Sequence, residues 1–360
     1  MEDRIYNFAA GPSILADEVL IKIKEELFNY KGSGMSVMEM SHRSKGYLEI
    51  FENTKAGLRR LLDIPEDYEI LFMHGGATGM FASIPQNLLK GKKADYVITG
   101  NFAKKAAQEA EKFGDVHIAY DGKENNYSLI PDENELNFSE DPAYIHICAN
   151  NTIYGTEWKK FPKVESVPLV VDMSSDILSK PINVSDFGLI YAGAQKNMGI
   201  AGFAVAIIRK DLISETDPKV PSIMNYELSL KNDSMLNTPA TYPIYVLGKV
   251  VEWLEEIGGL KEIEKRNILK AQKLYDFIDN TPFYRPHAQK ESRSLMNVTF
   301  TTPDPELDAA FAKQATENGL SNLKGHRLVG GLRASIYNAM PLTGVEKLID
   351  FMDRFAKENG

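Results

Sequence analysis

Short runs of consecutive apolar residues end in Gly, Asn or Asp along this chain, and each gives way to a stretch whose apolar positions recur every three to four residues. The runs have the length of strands but no in–out alternation, as expected where both faces of a sheet are covered; the stretches between them have the period of helices. That alternation predicts an α/β fold. The candidate strands are 69–73, 96–99, 117–120, 144–148, 169–172, 189–192 and 203–208. Beyond Tyr242 the rhythm changes. A helix over 244–256 leads through Gly258-Gly259 into a second over 260–279, then come a strand at 295–301, a helix at 305–317, a strand-like stretch at 331–337 and a last helix. This remainder reads as a smaller α+β domain. No repeat, low-complexity stretch or long linker interrupts the chain.

The chain has 360 residues, 43% of them hydrophobic, enough to bury a sizeable core and to form two or three domains. Its formal net charge of -9 argues against sequence-independent nucleic-acid binding, which needs excess Lys and Arg to neutralise phosphates. Any anionic ligand must therefore meet a local basic cluster. The single cysteine, Cys148, excludes an internal disulfide framework and fits a reducing compartment. Its strand-like neighbours favour a buried, inert thiol over a nucleophile. No segment reaches the ~18 apolar residues of a membrane span, and the chain reads as cytosolic.

Candidate chemistry concentrates where strands end. In GLIYAGAQKNMGIAGFAVAIIRK, Lys196 lies between two buried strands among small residues. Desolvation there would favour the neutral amine that attacks an aldehyde, although a solvated turn lysine fits the segment equally well. Asp172, 24 residues earlier, closes the apolar run of PLVVDMSSD. At the carboxyl edge of an open sheet such an aspartate suits a protonated pyridine nitrogen; on its own it is more often a turn cap. In MHGGATGMFASIPQNLL a strand enters a Gly-Gly turn and then a helix beginning near Ala77 or Thr78, an arrangement that binds phosphate through free N–H groups and the helix dipole. It lacks the lysine of a nucleotide P-loop. Phe102 opens a further helix at the same edge, where an aromatic ring either stacks on a cofactor or belongs to the core.

Seven ordered motifs, NFAAGP, MSHRS at 40–44, HGGATGMF, VVDMSSD, YAGAQKN, NTPATYPIY and HRLVGGLRASIYNAM, run nearly end to end. On these the chain resembles the phosphoserine aminotransferases, fold-type-I pyridoxal 5'-phosphate (PLP) enzymes of the class-V aminotransferase group. The resemblance implies a large domain over 16–258 with a mostly parallel seven-stranded sheet, and a small α+β domain from 1–15 and 259–360 completing the substrate site. It implies Lys196 as the Schiff-base lysine, Asp172 at the pyridinium nitrogen, Phe102 stacked on the ring and Thr152 near its O3'. Ala77, Thr78, Ser174 and Gln195 would hold the cofactor phosphate. Asn237 and Thr238 would reach that phosphate from a second subunit, which implies a homodimer with shared active sites. His42, Arg43, His326, Arg327 and Arg333 would bind substrate. They also form the local basic cluster that an acidic protein needs for a dianion, and Arg forks match carboxylate and phosphate oxygens in pairs. No metal site is expected. The chain departs from the family pattern at Phe102, where tryptophan is common, at Thr78, where some members carry arginine, at Ala9 for serine and at Ile200 for proline.

The reaction implied is a two-step transamination between glutamate and 3-phosphohydroxypyruvate, giving 2-oxoglutarate and phosphoserine in serine biosynthesis, with 4-phosphohydroxythreonine as a second candidate substrate. Neither a nucleic-acid nor a membrane partner is expected. Alternatives within the fold are an alanine–glyoxylate aminotransferase or a cysteine desulfurase, the latter disfavoured by the strand setting of Cys148. A Rossmann-type dehydrogenase lacks its G-x-G-x-x-G here. A catalytically silent cofactor-binding protein shares the same fold-level signals.

Overall fold

In the computed structural model, which describes residues 4–164, 166–213 and 216–360, strands Tyr68–His74, Phe203–Arg209, Leu189–Gly193, Leu169–Asp172, Ile145–Cys148, Ala94–Ile98 and Val116–Asp121 lie side by side in that order. Phe203–Arg209 is antiparallel to both its neighbours and every other pairing is parallel, so six strands point one way. The unbroken apolar runs follow from burial on both faces. Phe203, Val205 and Ile207 join one core with Phe72, Val171 and Ile190; Ala204, Ala206 and Ile208 join the opposite one with Leu71, Val170 and Tyr191. Successive side chains of a strand point to opposite faces, and here both faces are core.

The six co-directional strands end at one edge of the sheet, where helices Gly76–Leu88 and Asn101–Ala110 begin. That edge carries the site. Outside the sheet, helix Lys45–Leu62 crosses helix Thr241–Glu256 at very short range. A Cβ added at Gly57 would stand 2.4 Å from Val251 Cγ1, and one at Gly248 would stand 2.6 Å from Thr54 Oγ1. Each helix thus presents a glycine to the other.

A third core lies beyond. Strands Arg285–Pro286, Asn297–Thr301 and Leu332–Ser335 form an antiparallel sheet, against which helices Pro305–Glu317 and Leu342–Asn359 pack through Tyr284, Phe300, Phe311, Phe351 and Phe355. The N-terminal segment joins it: Tyr6–Asn7 pairs parallel with Leu320–Ser321, and Phe8 and Ile14 lie in this core, whereas Ala16 and Val19 belong to the large one. Helix Gly259–Asn280 spans both, giving Leu260 and Ile263 to the large core and Ala271, Leu274 and Ile278 to the small. Among the described residues no helix is long and apolar enough to cross a membrane.

Boundaries differ from the sequence expectation where local chemistry intervenes. The helix expected from 244 starts at Thr241, because Pro243 falls in the first turn, where its missing N–H is harmless. The strand expected from 295 starts at Asn297, because the Ser294 hydroxyl accepts from the N–H groups of both Met296 and Asn297 at 3.0 Å and holds a turn there.

Candidate active site

A cleft of about 630 Å³ opens at the carboxyl edge of the large sheet. On one wall Gly75 (φ +86°) and Gly76 (φ +60°) turn strand Tyr68–His74 into helix Gly76–Leu88, conformations that L side chains rarely adopt. The helix begins at Gly76, a residue ahead of expectation, and its first-turn N–H groups have no intrahelical acceptor. Ala77 and Thr78 border the cleft.

Opposite, strand Leu189–Gly193 runs into the turn carrying Gln195 and Lys196. Ser13 pins that turn: its N–H donates to Gln195 O at 3.0 Å and its hydroxyl to Lys196 O at 2.8 Å. Gly11 (φ +146°) passes so close that a Cβ would meet Lys196 Cγ at 3.3 Å. Lys196 Nζ donates to Thr152 Oγ1 at 2.7 Å and lies 5.6 Å from the centroid of the Phe102 ring. Lys196 is half-buried, between the desolvated and the solvated turn lysine that the segment allowed, because the turn carries it past the strand end into the cleft.

Asp172 forms the floor at 5% exposure. Burial pushes its carboxyl above the ordinary aspartate range, while the Ser174 hydroxyl and N–H, the latter donating to Oδ1 at 2.9 Å, pull it back. Ser174 Oγ in turn accepts from Gly193 N–H at 3.0 Å, which ties neighbouring strand ends together. Cys148 is buried beside them; burial and then the Asp172 charge push its thiol well up, so it stays protonated and inert.

The third side carries cations from the small core. Arg333, half-buried on strand Leu332–Ser335, donates from Nη1 to Thr152 O at 3.3 Å, and its buried Nε has no hydrogen-bond partner. His326 is held below the ordinary histidine range by burial, then by Arg333, Arg327 and Lys105. Its Nδ1 accepts from Leu328 N–H at 3.2 Å, as a neutral ring does.

Ten of the residues singled out from sequence border this one cleft: Ala77, Thr78, Phe102, Thr152, Asp172, Ser174, Gln195, Lys196, His326 and Arg333. His42, Arg43, Asn237, Thr238 and Arg327 do not line it within a single chain; His42 is half-exposed and the other four are exposed. Sequence reasoning missed Asn150 and Ser175, which border the cleft and bond each other at 2.8 Å from Asn150 Nδ2. No periodic signal marks them, since Asn150 lies in a two-residue strand, Asn150–Asn151, too short to show a period, and Ser175 in the turn after strand Leu169–Asp172. It also missed Lys105, whose Nζ lies 5.8 Å over the Phe102 ring. The i to i+3 spacing on one helix face was the available signal.

The residues present fit PLP. The cleft offers a reachable amine, a buried carboxylate, an arginine Nε awaiting a partner, and a helix start at which a Cβ on Gly76 would meet nothing within 4 Å. A lysine, an aspartate and a helix N-terminus gathered at this edge of such a sheet are the donor set of a PLP-dependent transferase. The class-V aminotransferase family profile matches residues 5–348. Phosphoserine aminotransferase from Bacillus cereus is 51% identical over 358 residues, 99% of each chain. Among solved structures, phosphoserine aminotransferase from Bacillus circulans subsp. alkalophilus superposes with a TM-score of 0.98 at 45% identity, covering 99% of this chain and 100% of that one. The PLP-bound phosphoserine aminotransferase of Trichomonas vaginalis gives 0.93 at 40% identity, covering 97% and 100%. The chain belongs to the class-V aminotransferases, PLP-dependent enzymes, and within them to the family of the phosphoserine aminotransferases.

Proposed function

We propose that this chain transfers the amino group of glutamate to 3-phosphohydroxypyruvate, releasing 2-oxoglutarate and phosphoserine. One observation carries the reading: the amine of Lys196, the carboxylate of Asp172 and the first turn of helix Gly76–Leu88 converge on a cleft whose other side carries Arg333 and His326. Lys196 would hold the cofactor covalently, with Asp172 at its ring nitrogen, Phe102 against its ring and Thr152 near O3'. Ala77, Thr78, Ser174 and Gln195 would hold its phosphate. When bound, PLP supplies an electron sink that lowers the barrier to breaking the substrate Cα–H bond.

The remaining work belongs to the protein. Once substrate has displaced it from the cofactor, the freed Lys196 amine would take the proton from the substrate Cα as general base and hold it as the ammonium for return as general acid. Its bond to Thr152 aims Nζ into the cleft. Arg333 clamps the α-carboxylate, so the bond to be broken is presented in one orientation. His326 and Arg327, with His42 and Arg43, bind the distal anion, a carboxylate on glutamate and a phosphate on phosphoserine. His326 is neutral at neutral pH and serves as a hydrogen-bond donor there, leaving the charge to the arginines.

The active unit in this reading is a homodimer with shared sites, in which Asn237 and Thr238 of one subunit reach the cofactor phosphate of the other. Exposed apolar residues flank both outlying segments: Met35, Met38 and Leu48 around His42 and Arg43, and Ile223 and Leu236 before Asn237. Such patches beside functional residues favour burial between subunits. The division into a large domain, 16–258, and a small one, 1–15 with 259–360, is supported by the change of core between Ile14 and Ala16. We place the protein in the cytoplasm, the setting that fits a lone buried thiol.

The test is kcat/KM for phosphoserine, glutamate and alanine in the parent, Arg333→Ala, Arg327→Ala and Arg43→Ala. Loss of Arg327 or Arg43 should cost on the order of 2–5 kcal/mol of transition-state binding for phosphoserine and little for alanine, which has no distal anion. Arg333→Ala should depress all three alike. A parent that prefers alanine to phosphoserine would overturn the substrate assignment.

A further inference from the structure

Three neighbouring strands break their apolar runs with a polar side chain on the same face of the sheet. Asp172 is the ladder partner of Tyr191 on the adjacent strand, and His146 is the partner of Val170, two residues before Asp172. Ile145 and Ile147 belong to one core, so His146 points to the other, where Tyr191 and Tyr96 lie. Side chains paired across a ladder stand about 5 Å apart, close enough for a long side chain to reach its diagonal neighbour as well. The Tyr191 hydroxyl reaches that far: it lies 2.8 Å from His146 Nε2, and Tyr191, paired with Asp172 across the ladder, helps to hold the Asp172 carboxyl down against the effect of burial. Tyr96 stacks on the far side of the imidazole at 4.7 Å and 24°. His146 is 1% exposed and Tyr191 is fully buried.

The direction of this line follows from what each group can donate. Burial pushes His146 down to about 3, so its ring is neutral and has one N–H and one acceptor nitrogen. An ionised carboxylate only accepts, so a Tyr191 O–H turned to its ladder partner Asp172 acts as donor, and Tyr191 Oη then accepts from His146 Nε2–H. Nδ1 is then the acceptor nitrogen. It is buried without a partner, which is tolerable for an acceptor; the reverse direction would strand a buried N–H, the rarer and costlier fault.

We propose that Tyr191 and His146 are positioning residues, which hold the Asp172 carboxylate in place for the ring nitrogen of the cofactor through the donor line His146 to Tyr191 to Asp172. The proposal rests on the reading of Asp172 given under Proposed function. Neither residue lines the cleft, which Asp172 does. They act by anchoring the one carboxylate that does, in a setting where burial alone would favour its neutral form.

The experiment compares equilibrium binding of PLP and of its deaza analogue, in which C–H replaces the ring nitrogen, to the cofactor-free forms of the parent, Asp172→Ala, Tyr191→Phe, His146→Leu and His146→Gln. The parent should prefer PLP, and Asp172→Ala should lose that preference. Tyr191→Phe and His146→Leu should each reduce it roughly ten-fold, the size of one hydrogen bond to a charged group. His146→Gln, whose amide restores an N–H donor, should recover most of it. A general packing defect would weaken both ligands equally and leave the ratio at the parental value, an outcome that overturns the proposal. If Tyr191→Phe does not fold, the His146 pair decides the matter by the same ratio. A parent that does not discriminate overturns the reading of Asp172 and this proposal with it. Discrimination that disappears in Asp172→Ala but persists in Tyr191→Phe overturns the proposal alone.

Discussion

Asp176 lies four residues beyond Asp172, with a buried Oδ1 that has no hydrogen-bond partner. Burial pushes its carboxyl up to about 7 from an ordinary 3.8, with Lys180 opposing and Glu157 and Asp172 reinforcing the shift. Between those two values the folded protein keeps a proton that the unfolded chain has released. Stability therefore falls as pH rises through the window, and the full penalty is present above about 7. Asp176→Asn removes the ionisation, so its advantage over the parent in urea midpoint should be larger at about pH 8 than at about pH 5. An advantage of equal size at both would refute the assignment. Residues of this kind mark the limit of the linear sequence. Lys196 and Asp172 were legible because each follows an apolar run and precedes a turn, which places it at a sheet edge. The line through Tyr191 and His146 was not, because it appears only when three strands are aligned in register and their faces compared.

At the scale of elements, agreement was best where capping chemistry is local. Helix Pro305–Glu317 has its expected bounds because the Asp304 carboxylate accepts from Glu306 N–H at 2.7 Å and Pro305 occupies the first position. Helix Lys45–Leu62 had no counterpart among the expected elements. Gly57 weakens it as an isolated helix, and the reason for a glycine there is Val251 on a helix nearly two hundred residues away. Helix Gly259–Asn280 was expected, but not what it hides. Lys270, 2% exposed, donates from Nζ to the carbonyls of Ile336, Tyr337 and Met340 at 3.0, 2.7 and 3.0 Å. The first two of these carbonyls directly follow strand Leu332–Ser335, so one lysine fixes the helix to the strand that carries Arg333. Lys270→Met fills the space but leaves three buried acceptors without donors. Burial lowers the Lys270 amine to about 7, so it is the lost donors rather than a lost ion pair that count, and the change should destabilise the protein by about 3 kcal/mol in urea unfolding. A loss below about 1 kcal/mol, the range of an exposed contact, would show that water satisfies those carbonyls instead.

For the whole molecule, the fold class and the sheet edge at which the cleft lies followed from the rhythm of the chain, while the placement of Asn237 and Thr238 could not, since a sequence does not say which copy of itself a residue serves. Within one subunit both are exposed and outside the cleft. If they reach the cofactor phosphate of a partner, every site takes Lys196 from one subunit and Asn237 with Thr238 from the other. A two-fold dimer then makes a quantitative demand. Lys196→Ala and the double change Asn237→Ala/Thr238→Ala should each be inactive as pure proteins. After unfolding and refolding together in equal amounts, half the dimers pair one protomer of each kind. In such a dimer one site combines both defects, and the other combines the intact Lys196 with the intact Asn237 and Thr238. Activity should therefore return to about a quarter of the parental value per subunit, and it should vanish on refolding with a large excess of either variant. Sites built wholly within one chain would give no recovery at any ratio. Heterodimers demonstrated by differential tagging, yet inactive, would thus count directly against sharing, and would require His42, Arg43, Asn237 and Thr238 to reach the cleft by a rearrangement of their own chain.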